Sequence, residues 1–518
     1  MPKKYTAELP KPVKLKEDFA EYEASTEMDG GVMVTKRHLV IKTGAIAPAQ
    51  IASYKAFQKA ISDDQYNYIQ LNELVRTASG PSFVPGTRGS NVWQKSFNEL
   101  PSSTNSGATE AESKARDAGR TGDLTSALAA MKGAVELDPK FARAWIGLGG
   151  LYFALRQKQA AIESLQKAVE AEPKQAVTYK ILALAYLQNK DRDQAIHTWQ
   201  QLQAISPEDH DIAPSLGALY MEGKRYKEAG AIYQTWVKND PSDGYAYLNL
   251  GMAQLRLDEK EQGLAALQKA LELQPGAEML NGVAWEMVEA NTNLTQALEY
   301  SKRSIEQIEE ASRAIDLKNL RPDDLQVATK LKAYWDTLGW IYYKMGNLAK
   351  AENYLIAAWQ LAQDGDIGDH LGQVYEKEHK LAEAAHTYAL ALGADPKMED
   401  TAARLHKLSN VPLPPNRMGA GEELSRMRTT SLPRVTKDTA SADFYVLFAP
   451  GGKLKDSSFH RGSELLRFAD GDLAKISFKV PFPADSSAYI LRKAILSCHT
   501  YSGCTFVFYP INDVANSN

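Results

Sequence analysis

Residues 140–173 read KFARAWIGLGGLYFALRQKQAAIESLQKAVEAEP, and this stretch decides the fold. It closes on Pro173, which belongs to a series spaced by 34 residues: Pro139, Pro173, Pro207, Pro241 and Pro275. Self-similarity at a fixed period of this size marks a stack of equal supersecondary units. Each unit packs only on its neighbours, so the stack is a solenoid.

Within the quoted unit stand Trp145, Leu148, Gly149, Tyr152, Ala161, Leu165 and Ala168. The next unit repeats the types with Tyr179, Leu182, Ala183, Tyr186, Ala195 and Trp199, though Leu202 replaces the small residue before the proline. A further unit has Leu216, Gly217, Tyr220, Ala229 and Tyr233, with Trp236 in that place. The unit ending at Pro275 has Tyr247, Leu250, Gly251, Leu267 and Ala270, and departs from the pattern at Gln254 and Gly263. The first unit, ending at Pro139, keeps Ala115, Ala127, Met131 and Ala134 but lacks the tyrosine.

This pattern resembles the tetratricopeptide (TPR) repeat, a pair of helices joined by a tight turn. The resemblance implies small residues at repeat positions 8, 20 and 27, where two helices approach closely, and large ones at 4, 7, 11 and 24 around them. The proline at position 32 stops the second helix. After Pro275 the period breaks. Residues 276–330 contain Ala284, Trp285, Ala297 and Tyr300, a longer sixth repeat, then an extended helix and a loop at Leu320–Asp324. The pattern resumes with Trp335, Leu338, Gly339, Tyr342, Ala351, Leu355 and Ala358. An eighth repeat has Leu371, Gly372, Tyr375, Ala384, Tyr388, Ala391 and Pro396, and residues 397–409 form a capping helix. The expected fold is mainly α: a TPR α-solenoid of about eight repeats over residues 109–409.

The flanks read differently. In residues 1–76, two strand-like runs meet at Asp29-Gly30-Gly31, a hairpin signal. Alternation from Val32 to Lys42 puts Val32, Val34, Leu39 and Ile41 on a core face. Pro48 to Ile61 has helical spacing, with Ile51, Tyr54 and Phe57 between. Residues 77–108 and 410–434 are expected linkers. Residues 435–518 read as a small α+β domain. Its strands are expected at Phe444–Phe448, Ala474–Val480, Tyr489–Leu491, Ala494–Leu496 and Thr505–Tyr509, with a short helix at Ser463–Phe468.

In TPR proteins the first helix of each repeat lines a concave groove. Carried onto this chain, that face has Ile146 and Phe153, then Lys180, Leu184 and Leu187, then Met221. It continues with Tyr245, Leu248, Met252 and Leu255, then Trp340 and Tyr343, and turns polar at Asp366, Asp369, Gln373, Glu376 and Lys377. An apolar groove suits an amphipathic helix or an extended apolar segment of a protein partner. The alternative for each residue is packing against a neighbouring helix. Lys180 matches one place of the carboxylate clamp of chaperone-binding TPR modules, but Leu184 stands where an Asn is needed, so clamp binding is not expected.

Net charge is −4 over 518 residues, which argues against a nucleic-acid surface. No apolar run reaches the ~18 residues of a membrane span. Residues 1–30 lack the apolar core of a signal peptide, so none is expected in the chain as written. Gly451-Gly452-Lys453 falls short of a phosphate loop, because Leu447 and Leu454 stand at required Gly and Ser/Thr positions. A hairpin turn is expected there. Histidines 197, 370, 379, 386 and 406 show no metal spacing. No catalytic constellation, metal site or cofactor site is expected. Cys498 and Cys504 flank a five-residue run, leaving either a cross-strand disulfide or two free, half-buried thiols.

The stretch around Leu39–Lys42 and Tyr54–Phe57 resembles the segment after the catalytic core of bacterial transglutaminase-like proteins. That resemblance implies an accessory portion lacking its Cys/His/Asp core. Gly452–Asp456 and Gly462–Leu465 resemble the periplasmic C-terminal domain of TonB-type proteins, which implies an envelope adaptor if Met1 is not the natural start. The leading expectation is a non-enzymatic scaffold that binds a protein or peptide of unknown identity.

Overall fold

The computed structural model describes residues 5–7, 12–29, 32–42, 50, 53–54, 56–58, 71–73, 100–410, 419–433, 435–499 and 503–511. The chain divides into two compact units, residues 1–219 and 220–518.

In the first unit, β1 (Tyr5–Ala7) pairs with β5 (Leu71–Glu73). An antiparallel sheet is built from β2 (Val13–Lys16), β3 (Ala20–Asp29) and β4 (Val32–Ile41) in that order. Strand periodicity puts Ala20, Tyr22 and Ala24 of β3 inward, where they join Phe19 and Phe57. Phe19 meets Tyr54 and Phe57 edge-on at ring separations of 5.7 and 5.5 Å. The opposite face carries ion pairs, Glu21 with Lys16 and Lys42 among them. Among the described side chains of β4 the expected alternation does not hold: Leu39 is 49% exposed and Ile41 70%. Leu39 lies opposite Tyr22, yet among the described residues the covering rings sit over Phe19 and leave Leu39 open. The turn Gly30-Gly31 lies outside the described residues, as do Pro48, Ile51 and Ile61.

Helix pairs follow. They are α1 (Ser106–Thr121) with α2 (Leu124–Leu137), α3 (Ala142–Ala154) with α4 (Lys158–Ala171), and α5 (Ala176–Gln188) with α6 (Arg192–Ile205). Then come α7 (Ile212–Glu222), α8 (Tyr226–Asn239), α9 (Gly244–Arg256) with α10 (Lys260–Leu273), and α11 (Ala277–Glu289) with α12 (Leu294–Arg313). The array ends with α13 (Pro322–Lys344) and α14 (Leu348–Ala362), α15 (Gly365–Lys377) and α16 (Leu381–Ala394), and α17 (Glu399–Lys407). The small residues sit where the pattern requires. Ala127, Ala161, Ala195, Ala229, Ala297, Ala351 and Ala384 are fully buried. Gly263 is explained by a closer approach: a Cβ there would lie 2.8 Å from Leu255 Cγ and 3.1 Å from the Gly251 carbonyl. The irregular stretch is one of length. α12 has 20 residues and α13 has 23, against 13 or 14 in the regular pairs α3 to α6.

The turn inside each repeat has its own rule. Gly122, Arg156, Lys190, Lys224 and Asp258, again 34 residues apart, all have positive φ, and Gly346 and His379 do the same later. The next residue's N–H then bonds back to the carbonyl at position 11: Gln157 to Tyr152, Asp191 to Tyr186 and Arg225 to Tyr220, each 2.8 Å. This closes the first helix with a left-handed residue, and Asp123, Asp191 and Asn347 then cap the second. A lysine pays a steric penalty in that conformation and a glycine does not. Lys190→Gly is therefore expected to stabilise the chain by about 0.5–1 kcal/mol, read as a raised urea midpoint. Lys190→Ala is expected to bring no such gain.

The C-terminal region is an antiparallel sheet of β6 (Thr429–Leu432), β7 (Ala440–Ala449), β8 (Lys453–Gly462), β9 (Ile490–His499) and β10 (Gly503–Phe508), ordered β6-β10-β9-β7-β8. Pro450–Gly452 joins β7 to β8, so the glycines do form a hairpin turn. Four expectations change. Ala474–Val480 is not a strand; it is a turn followed by irregular chain that inserts Phe478 among Phe448, Phe506 and Phe508. The two runs at 489–496 are one strand, β9. The helix at Ser463–Phe468 shrinks to a 3₁₀ turn at Glu464–Leu466. The stretch 410–434 contains α18 (Ala420–Met427) and β6, which pairs with β10, so it is structured over 420–432. A short helix, α19 (Asp470–Leu473), completes the region.

This sheet does not hang from the array. One core runs from Ile305, Leu331, Trp335 and Leu355 into Phe444, Ile490 and Phe506. The polar contacts concentrate on second helices. Glu309 of α12 accepts from Ser486 Oγ (2.6 Å), Ser487 N (3.1 Å) and Ser487 Oγ (2.7 Å). Tyr354 of α14 donates to Asp485 at 2.7 Å, and His386 of α16 lies 3.0 Å from Glu423 of α18. Buried Arg492 of β9 donates to the Leu361 carbonyl at the end of α14 and to the Tyr509 carbonyl. A cation there meets the negative end of the helix dipole.

Candidate protein-interaction site

The expected groove residues separate by environment. In the first unit, Phe153, Leu184 and Leu187 are half-buried, whereas Ile146 is 4% exposed and belongs to the interior. Lys180 of α5 is held by Asp209 (2.8 Å) and Asp211 (2.6 Å), both in the turn that leads into α7. In the second unit, Met221, Tyr245, Leu248, Met252 and Tyr343 are half-buried. Leu255 and Trp340, each 5% exposed, are interior residues rather than open surface. Helix periodicity alone does not separate these classes, because the next repeat covers some inward-facing side chains and leaves others open.

Around Trp340 the first helices of three repeats converge. Trp340 stacks on Tyr343 (centroids 4.6 Å apart) and on His370 (4.2 Å), and Trp285 lies 5.9 Å from the same imidazole. The Trp340 indole N–H donates to Glu289 at 3.0 Å. His370 Nδ1 lies 2.8 Å from Asp336 Oδ1. Burial opposes charge on His370, yet Asp336, Asp369 and Glu289 hold its pKa above the usual imidazole value. Asp369 accepts from Thr401, Arg404 and Gln373, and Glu376 accepts from Tyr388. One repeat earlier, burial pushes Glu286 up to about 7; Arg256, 3.2 Å away, works against this and Glu289 adds to it.

Lys344 Nζ lies 4.7 Å from the Trp340 ring centroid and Lys377 Nζ 4.5 Å from that of Tyr343. The sequence reading placed Trp340, Tyr343, Asp369 and Lys377 on this face, but not Trp285, Glu289, Lys344 or the role of His370. Trp285 lies in the stretch where the 34-residue register is lost. His370 and Asp336 pair across two repeats, at neighbouring rather than equal repeat positions, so a comparison of equal positions does not find them.

The arrangement can hold side chains by stacking, apolar contact and charge. Among the described residues no group of three or more His, Cys, Asp or Glu side chains is placed to hold a metal. Cys498 and Cys504 face each other across β9 and β10 and are joined as a disulfide. Among the described residues no helix is long and apolar enough to cross a membrane.

Comparison with known proteins agrees with the repeat reading. Tetratricopeptide-repeat family models match residues 113–176 and 182–244, and residues 244–276 and 333–364. Residues 1–71 match a domain of unknown function, DUF3858. A TPR repeat-containing protein of Pseudomonas aeruginosa is 30% identical over 152 residues, 28% of this chain. That match spans 22% of the relative's length. A tetratricopeptide repeat protein from Parabacteroides merdae aligns over 59% of this chain and 99% of its own, at 16% identity and a TM-score of 0.40. YrrB, a TPR protein with an unusual peptide-binding site, aligns over 36% of this chain and 95% of its own, at 21% identity and a TM-score of 0.29. The helical array of this chain is built of tetratricopeptide repeats.

Proposed function

We propose that the chain is a non-enzymatic protein-interaction scaffold that holds a peptide segment of its partner on the first-helix face of the repeats in the second unit. One observation carries this reading. Tyr245, Leu248, Met252 and Tyr343 stay half-exposed on first helices, while the second helices α12, α14 and α16 are engaged by the chain's own C-terminal region. Half-exposed apolar side chains grouped on one face suit an amphipathic helix or an extended apolar segment. Leu248, Tyr245 and Tyr343 all pack against the cluster that contains Trp340 and Met279, so the face is continuous.

Pull-down with the intact chain tests the proposal. The Leu248→Glu, Tyr343→Glu double variant is expected to lose its partner proteins at least tenfold, since each change places a charge in an apolar contact. Circular dichroism of the same variant checks that the helices persist. Unchanged recovery by a folded double variant counts against the groove.

A further inference from the structure

Resting on the groove reading, we infer that Lys344 and Lys377, seated on the rings of Trp340 and Tyr343, form an anion-binding subsite that takes an acidic side chain of a bound peptide, next to an apolar one at the edge of Tyr343.

Both lysines are exposed and stand at the C-terminal ends of first helices, α13 and α15. Among the described residues neither has a carboxylate partner, although the face is rich in charge. The nearby carboxylates are committed elsewhere: Asp336 to His370, Asp369 to Thr401 and Arg404, Glu376 to Tyr388, and Glu289 to the Trp340 indole. Asp366 stands at the opposite end of α15 from Lys377, roughly 16 Å along the helix at 1.5 Å per residue. The other lysines of these first helices are paired, Lys332 with Asp364 and Lys330 with Glu278, and Arg404 of α17 is taken by Asp369. Two cations are thus left over, and they sit on adjacent helices.

Cation–π contact holds each ammonium over a ring. The rings are themselves fixed by the stack through His370 to Trp285. Side-chain freedom is therefore partly spent before a ligand arrives, which favours binding. The faces of Tyr343 are taken by Trp340 and Lys377, and the edge of this half-buried ring meets the neighbouring ligand side chain. The competing explanation is that each lysine only complements the dipole of its own helix end.

A random short-peptide library displayed on phage, selected against the intact chain, separates these readings. Enriched peptides are expected to share an Asp or Glu beside an aromatic or aliphatic residue. A synthetic copy of one is expected to bind about tenfold more weakly to the Lys344→Gln, Lys377→Gln variant, and to lose affinity as salt rises. Equal affinity for that variant, with loss on Leu248→Glu, Tyr343→Glu, overturns the anion-binding subsite and leaves the groove standing. Equal affinity for both variants, or no enrichment at all, overturns both. A lowered unfolding midpoint in Lys344→Gln, Lys377→Gln with unchanged peptide affinity assigns the lysines to the helix dipoles and also overturns the subsite.

Discussion

Glu309→Ala is expected to destabilise the second unit by about 3 kcal/mol and to loosen the C-terminal sheet from the repeats. Glu309 is buried on α12 and accepts three hydrogen bonds from Ser486 and Ser487. Two donors are hydroxyls, but the third is a backbone N–H with no rotational freedom to seek water. Removing the carboxylate takes the shared acceptor from three part-buried donors at once and leaves a gap at a buried position of α12. Arg313 donates to Ser487 beside them, and Ser312 Oγ accepts from the Tyr489 N–H, so the same segment is held at successive points along α12. Urea unfolding and limited proteolysis of residues 474–489 check the prediction. Glu309→Ala is expected to lower the midpoint and speed cleavage there. Glu309→Gln keeps an acceptor oxygen and is expected to lose about 1 kcal/mol. Exposed Glu310→Ala is the control and is expected to change neither. Unaltered cleavage in Glu309→Ala means that the shared apolar core alone holds the sheet.

That junction is also where the sequence was least legible. The repeats announce themselves because each unit is stabilised by local helix pairs, so its constraints recur at short range. Ala161, Gly149 and Tyr152 say where a helix is crowded, whatever lies further along. Glu309 and Ser487 are 178 residues apart, and neither has a local pattern that names the other. The stretch 410–434 read as a linker because its opening prolines and Asn410 outweigh eight residues of helix and a four-residue strand. That strand is specified by the register of β10, not by its own alternation. Phe478 reads as part of a strand because irregular chain and strand share an apolar signature when a side chain plugs a core. The same limit applies to the candidate site. Position within a repeat found Tyr343 and Lys377, but burial of Ile146, Leu255 and Trp340 depends on the next helix, and the His370–Asp336 pair depends on two.

Trp340→Ala is expected to cost about 3–5 kcal/mol, the usual range for emptying a buried indole site. The packing loss is compounded by position. Trp340 stacks with Tyr343 and with His370 and anchors Glu289 through its N–H, so three repeats lose a common element. In a solenoid, stability is a sum over neighbouring interfaces, so damage at the place where two interfaces meet counts twice. Trp340→Phe keeps a ring against Tyr343 and His370 but leaves Glu289 without its indole donor. It is expected to recover roughly half of the loss, and the remainder estimates what the indole N–H and the extra ring contribute. Urea titration followed by circular dichroism measures both variants. The comparison also bears on binding, because Lys344 rests on this ring. If the ring only fills space, Phe restores peptide affinity along with stability. If the wide indole face is what seats the lysine, Trp340→Phe regains stability while binding the acidic peptide more weakly, since indole is the strongest of the aromatic cation partners.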